Sequence, residues 1–418
     1  MSSNGGPEDP APAPGRNGIP GGARLGDDPP RGAPNGRGRS GRGLAVCLAG
    51  FGAFLTLYAP QPLLPLFRQL FHASELATSL TISASVLAVA LAAPVTGAVA
   101  DLLGRKGVIV GSLVALGSFT ALAATAGTLP QLTAWRFLQG LCIPGIIAVT
   151  MAYISEEAPA TGVGSLMATY VTGGVVGGFS GRFVTGLLAP HWGWHAGFLL
   201  LGVATLLCAL VVWGALPPST NFVRQSSPAA SFRTLGLHLR NPRLVATYAV
   251  GFNVLLSIVA MFTYVNFYLA DPPFHLGSAA LSSIFAVYLI GAAVTPLAGR
   301  LVDAFGHRRA LVGAVTLSGG GVLATLVPNI PIVVSGLTLL ATGVFACQAA
   351  AASHVGKAAQ QARSSAAGLY VLFYYLGGAV GSTVPGLFWT WLGWPGCVGF
   401  VLSMQALTAG IAYYGWRE

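Results

Sequence analysis

The feature that most constrains this chain is a succession of long apolar runs, beginning at Leu44 and continuing almost to the C-terminus. About twenty apolar residues make one helical crossing of a bilayer core. Twelve such runs can be placed. Six lie near 44–67, 78–99, 107–127, 130–153, 164–189 and 194–216, and six near 243–270, 278–299, 310–328, 331–354, 364–390 and 394–416. A membrane β-barrel would instead alternate apolar and polar residues in ~10-residue strands. Composition removes the soluble alternative, because only 8% of the residues are charged and 54% are hydrophobic. An ordinary globular chain carries about 25% charged residues. The expected fold is an all-α membrane protein of twelve transmembrane helices.

Segments between the runs divide the chain. Residues 1–43 hold twenty Gly or Pro and six Arg, too little apolar surface to offset the entropy of ordering. They are expected to form a disordered cytoplasmic tail. Residues 44–216 and 243–418 are expected to be two six-helix bundles, joined by a cytoplasmic linker at 217–242 that carries Arg224, Arg233 and Arg240. Lys and Arg in short loops gather on the cytoplasmic face. With the N-terminus inside, eighteen basic residues fall inside and only Arg68 outside, while Arg136 and Arg182 lie within spans. Both termini are therefore expected to be cytoplasmic, in a plasma-membrane protein. The net charge of +10 then reflects topology and contact with anionic lipid, with no need of nucleic acid. The five cysteines are scattered singly and form no CxxC pair, so neither a disulfide framework nor a metal site is indicated.

The halves repeat. Gly97, Asp101 and Gly104 recur 202 residues later as Gly299, Asp303 and Gly306. Tyr58 has a counterpart in Tyr264, and the run from Gly173 to Gly177 has one in Gly377 to Gly381. Parallel repeats with a substrate path between them are a recurring transporter plan. Gly173, Gly177 and Gly181 share one face of span 5, a spacing that allows close helix packing.

The segment Gly97-Ala-Val-Ala-Asp101-Leu-Leu-Gly104-Arg105-Lys106 resembles the loop 2–3 signature of the major facilitator superfamily. Its second copy runs from Gly299 through Asp303 to Arg308 and Arg309, and Arg136-Phe-Leu-Gln139-Gly140 resembles a further signature in span 4. Tyr58-Ala-Pro-Gln61-Pro62, Tyr153-Ile-Ser-Glu-Glu157 and Leu369-Tyr-Val-Leu-Phe-Tyr374-Tyr375 are similar to the YnfM-type inner-membrane transport proteins, relatives of proton-driven drug antiporters. The resemblance implies a monomeric secondary carrier that exports a small molecule against proton entry. It also implies a conformational gate. Asp101, paired with Arg105 or Lys106, would meet the start of span 11 at Ser364 or Ser365, where a helix dipole favours an anion. By pseudo-symmetry Asp303 would meet the start of span 5. One departure is visible: the span 5 glycine run lacks the proline of the drug-antiporter signature.

The residues add two intramembrane charges. Arg136 and Arg182 each lie roughly 9 Å below the outer end of their span at 1.5 Å per residue. No Asp or Glu falls inside any expected span. Charges at such depth usually face the bundle interior. The two arginines could bind an anionic substrate, hydrogen-bond helix carbonyls, or snorkel to headgroups. Gln61, Gln139, Asn253, Asn266 and Gln348, with Tyr58, Tyr374 and Tyr375, are candidates for a substrate path. For a titrating group the residues offer only the interfacial acids or a histidine such as His354. Proton antiport and uniport or exchange of a small organic anion therefore both stand. No Gly-x-x-x-x-Gly-Lys-Ser/Thr loop occurs, so ATP is not the direct energy source. No nucleophile, base or metal cluster collects at depth, so an enzyme is not expected. A non-transporting sensor is the remote alternative.

Overall fold

The structure, a computed structural model, describes residues 36–158, 162–219, 236, 238–359 and 363–416. Among these residues all regular structure is helical. The first half contains α1 (Gly36–Leu57), a short 3₁₀ turn (Gln61–Leu63), α2 (Leu64–Leu70), α3 (Glu75–Leu103), α4 (Arg105–Ala123), α5 (Leu129–Glu157) and α6 (Val163–Ala215). The second half contains α7 (Pro242–Ala270), α8 (Ser278–Ile284), α9 (Val287–Phe305), α10 (His307–Ala324), α11 (Ile330–Ala358), α12 (Arg363–Thr383) and α13 (Pro385–Gly415).

Local chemistry sets the helix ends. Ser74, Thr128, Asn241 and Asn329 accept from amides of the first turns of α3, α5, α7 and α11, satisfying donors that a helix start leaves open. Gly104 and Gly306 join α3 to α4 and α9 to α10 at φ 81° and 79°. That region is open to glycine because it has no Cβ, so each joint turns within one residue. Gly193 and Gly393, at φ 74° and 62°, each break a long helix into two arms. The arms of α6 fold back on each other: a methyl at Gly197 would stand 3.2 Å from Thr185 Cα. In α13 a methyl at Gly396 would overlap the Phe388 carbonyl. Trp192 and Trp391 flank these two turns and are 72% and 77% exposed.

The packing repeats as well. Methyls at Gly173, Gly177 and Gly181 of α6 would overlap the carbonyl oxygens of Cys47, Phe51 and Leu55 on α1. Methyls at Gly377 and Gly381 of α12 would overlap those of Phe252 and Leu256 on α7. Backbone therefore rests on backbone in both halves, which small residues alone permit.

Eight segments among the described residues are long and apolar enough to cross a membrane, the first formed by α1, the 3₁₀ turn and α2 together. One of the eight is the whole of α6, with its two arms. The N-terminal boundary differs from expectation. α1 begins at Gly36, within the stretch expected to be tail. The helix propagates outward from its apolar run, and Arg42 Nη1 anchors it by donating to Glu157 O at 2.9 Å. Residues 1–35 of that tail, and 220–235 and 237 of the expected linker, lie outside the described residues.

Candidate functional site

The site is built on the interrupted stretch between α1 and α2. Pro60, Pro62 and Pro65 cannot donate backbone hydrogen bonds. The chain tightens into the 3₁₀ turn, and the Gln61 amide goes to Tyr58 O at 3.1 Å. The Leu57 carbonyl is left without a backbone donor, and the Thr56 carbonyl keeps only the Ala59 amide at 3.3 Å. Arg136, fully buried on α5, donates to both. Its Nη1 donates to Thr56 O at 2.9 Å, its Nε to Thr81 O at 3.1 Å, and its Nη2 to Leu57 O. Nη1 also donates to Gln139 Oε1, while Gln139 Nε2 donates to Phe119 O at 3.2 Å. The guanidinium thus ties α1, α3 and α5 together.

Arg182 occupies different surroundings. It is 3% exposed on α6, and its Nε donates to Gln61 Oε1 at 2.7 Å and its Nη1 to Gly178 O at 2.6 Å. Three rings surround it: Tyr58 at 4.8 Å, Phe285 at 4.9 Å and Tyr288 at 4.8 Å from Cζ to centroid. Aromatic faces attract a cation and stabilise it away from water. The two rings from Phe285 and Tyr288 belong to the second half, so Arg182 sits where the halves meet. Gln61 Nε2 donates onward to Thr263 Oγ1 of α7 at 3.3 Å.

Side-chain bonds joining the two halves gather toward the end that bears Arg68. Arg68, on α2, meets Asp271 at 2.5 and 3.1 Å and Glu75 at 2.9 Å. Ser278 Oγ donates to Gly186 O at 3.1 Å, and Ser83 Oγ to Ala379 O at 3.0 Å. Tyr264 donates to Ser382 O at 3.1 Å and lies 3.3 Å from Ser79 Oγ.

At the opposite, Gly104 end, Arg105 pairs with Asp101 at 3.0 Å and grips Glu156 at 2.9 and 3.2 Å. Lys106, next to Arg105 in sequence, is half-buried, and Arg309 in the second copy of the signature is exposed. The side chains of Ser364, Ser365 and Asp303, and the surroundings of Gly299, lie outside the described ones. At Gly97, which opens the loop 2–3 signature, no atom lies within 4 Å of where a side chain would begin. Arg308 Cζ lies 3.7 Å from the Tyr413 ring centroid. At the position 202 residues after Arg105, His307 lies 3.1 Å from Ser353 and 5.7 Å, ring to ring, from His354.

The structure brings some of the sequence candidates together and separates others. Tyr58, Gln61 and Arg182 converge. Tyr374 stands 5.4 Å from Tyr375 and 6.0 Å from Tyr370, ring to ring. Gln139 serves Arg136. Asn266 bonds back to Phe262 O at 2.6 Å on its own helix. Asn253 lines a separate small pocket with Ser257, Ser318 and Gln405. Sequence reasoning missed Phe285, Tyr288 and Thr263. A weak signal existed, since Phe285 and Tyr288 stand three residues apart on one helical face, downstream of small Ser278 and Ser282.

Comparison with known proteins identifies the family and the fold. The sequence profile of the Major Facilitator Superfamily matches residues 46–286 and 270–418. The MFS-type transporter YybF of Bacillus subtilis (strain 168) is 32% identical over 88% of this chain and 92% of its own length. The inner membrane transport protein YnfM of Escherichia coli (strain K12) is 32% identical over 87% of this chain and 88% of its own. The crystal structure of a bacterial homolog of the human lysosomal transporter Spinster, inward-facing and occupied, superposes with a TM-score of 0.73 at 17% identity, covering 91% of this chain and 97% of that one. The chain belongs to the Major Facilitator Superfamily: it is a membrane transporter and not an enzyme.

Proposed function

We propose that the protein is an alternating-access secondary carrier for a small organic anion, with Arg182 as the group that meets the cargo's charge. The observation that carries this reading is the position of Arg182. It is a buried guanidinium between the halves, held by an amide, a carbonyl and three rings, with no carboxylate among its described partners. A cation so placed is an acceptor site for an anion. Tyr58, Tyr374 and Tyr375 supply an amphipathic wall for the rest of the cargo.

In this reading the chain crosses the membrane twelve times as a monomer in two six-helix bundles, each arm of α6 counting as a crossing and the short first arm of α13 completing the crossing that α12 begins. The Gly104 and Gly306 joints face the cytoplasm, as the basic loop residues support. The clustered contacts around Arg68 then describe a state closed to the outside. The resemblance to efflux permeases supports export, driven by an existing gradient without ATP or metal. Proton coupling is the second reading. Its candidate carriers are His307 and His354, 5.7 Å apart ring to ring, with His354 bonded to Thr247 at 2.9 Å.

Counterflow in proteoliposomes tests the cargo role. Loading with a panel of labelled carboxylates should reveal exchange that Arg182→Gln abolishes while the melting curve stays close to wild type. Undiminished exchange in Arg182→Gln would sink the reading. Proton movement on cargo addition would add the second reading to it.

A further inference from the structure

Gln61 holds a place that the transport reading leaves unexplained. It is fully buried, and its amide is engaged at one end within the first half and at the other across the meeting plane of the halves. The oxygen accepts from Arg182 Nε at 2.7 Å, and the nitrogen donates to Thr263 Oγ1 at 3.3 Å on α7. Its backbone is fixed by the proline-bounded 3₁₀ turn, so only the side chain can move. We infer that Gln61 is a positioning residue that couples occupation of Arg182 to release of the closed Arg68 end; the inference rests on Arg182 being the cargo's charge partner.

The amide oxygen is a neutral occupant of a site where a carboxylate binds better. The guanidinium already gives the amide bond a charged donor; a carboxylate adds the opposite charge and a second acceptor oxygen, so it can bind bidentately. An arriving carboxylate therefore displaces Gln61 Oε1 from Nε. The displaced oxygen cannot stay buried without a donor, so the side chain rotates. That rotation pulls Nε2 away from Thr263 and removes one of the bonds tying α7 to the first half. The remaining ties at this end, Arg68 to Asp271, Ser278 to Gly186, Ser83 to Ala379 and Tyr264 to Ser79, then hold without it. Cargo binding and weakening of the closure become one event. Unoccupied, the amide restores both bonds and keeps the end shut.

Two substitutions of nearly equal size should act in opposite directions. Gln61→Leu removes the competitor, so the full-length protein in lipid nanodiscs should bind benzoate about tenfold more tightly, the factor that a net loss of about one weak hydrogen bond gives. Gln61→Glu supplies a resident carboxylate, so benzoate binding should weaken at least about tenfold. Thr263→Val leaves the guanidinium untouched but cuts the tether. It should let an impermeant maleimide reach a Ser83→Cys reporter without benzoate, whereas wild type should need benzoate for the same labelling. A merely structural Gln61 would weaken benzoate binding in both Gln61 variants, and that result overturns the inference alone. No benzoate binding by wild type, or binding that survives Arg182→Gln, removes the Arg182 reading and the inference with it.

Discussion

At the residue scale the two buried arginines divide their labour by what the backbone offers them. Pro60 has no amide hydrogen, and the turn after it diverts the Gln61 amide, so two carbonyls in α1 lack their usual helical donors. Arg136 meets both. Arg136→Gln should leave the buried Leu57 carbonyl without a donor, at about 1–3 kcal/mol, and take the second donor from the Thr56 and Thr81 carbonyls. A marked fall in melting temperature and in folded yield is expected; an unchanged melting curve would show that other donors take over. Depth and lack of a carboxylate partner were legible for both arginines from their places in apolar runs. Their partners were not, because hydropathy does not report which carbonyls a 3₁₀ turn exposes. Nor does spacing reveal that span 8 rings reach span 5, across about a hundred residues of chain.

At the element scale the glycines separate into two kinds that look alike in sequence. Those of α6 and α12 bear on the backbone of α1 and α7, whereas Gly97 faces open space. Gly181→Val should therefore destabilise the protein by about 3 kcal/mol or more, since overpacking here meets rigid backbone. Gly97→Ala should raise stability by up to about 1 kcal/mol through helix propensity. Thermal melts of the two variants check the contrast. If Gly97→Ala also loses transport, its close contact belongs to the opposite conformation. The apolar runs, their order and the doubled glycine pattern were readable in advance. Helix boundaries were less so: α1 starts at Gly36, because a helix extends past its apolar run when Arg42 finds a carbonyl to hold.

At the scale of the whole molecule the halves are joined most firmly where Arg68 meets Asp271 and Glu75. Exposed ion pairs contribute little, but this one is partly buried, bidentate and placed between moving parts, so its effect falls on the balance of states. Arg68→Glu should shift the carrier toward an outward-open form, seen as faster maleimide labelling of Ser83→Cys from outside. Adding Asp271→Arg should restore slow labelling. If the double variant labels as fast as the single one, the pair is not the latch. Sequence placed Arg68 as the one basic residue outside the inside-facing set, yet gave no hint of its partner. The contact joins positions 203 residues apart and exists only once the halves have docked.

The sharp turns at Gly193 and Gly393 carry a practical consequence. Each leaves a tryptophan, Trp192 and Trp391, at its tip with most of the ring uncovered, where aromatic side chains settle into the headgroup zone. Trp194, Trp394 and Trp416 are nearly sealed from their surroundings. Trp213, near the far end of α6, is a third exposed tryptophan, so a Trp213→Phe background leaves Trp192 and Trp391 as two native fluorophores open to brominated lipid beside others shielded from it. Collisional quenching can therefore register the depth and tilt of both hairpins with no label attached.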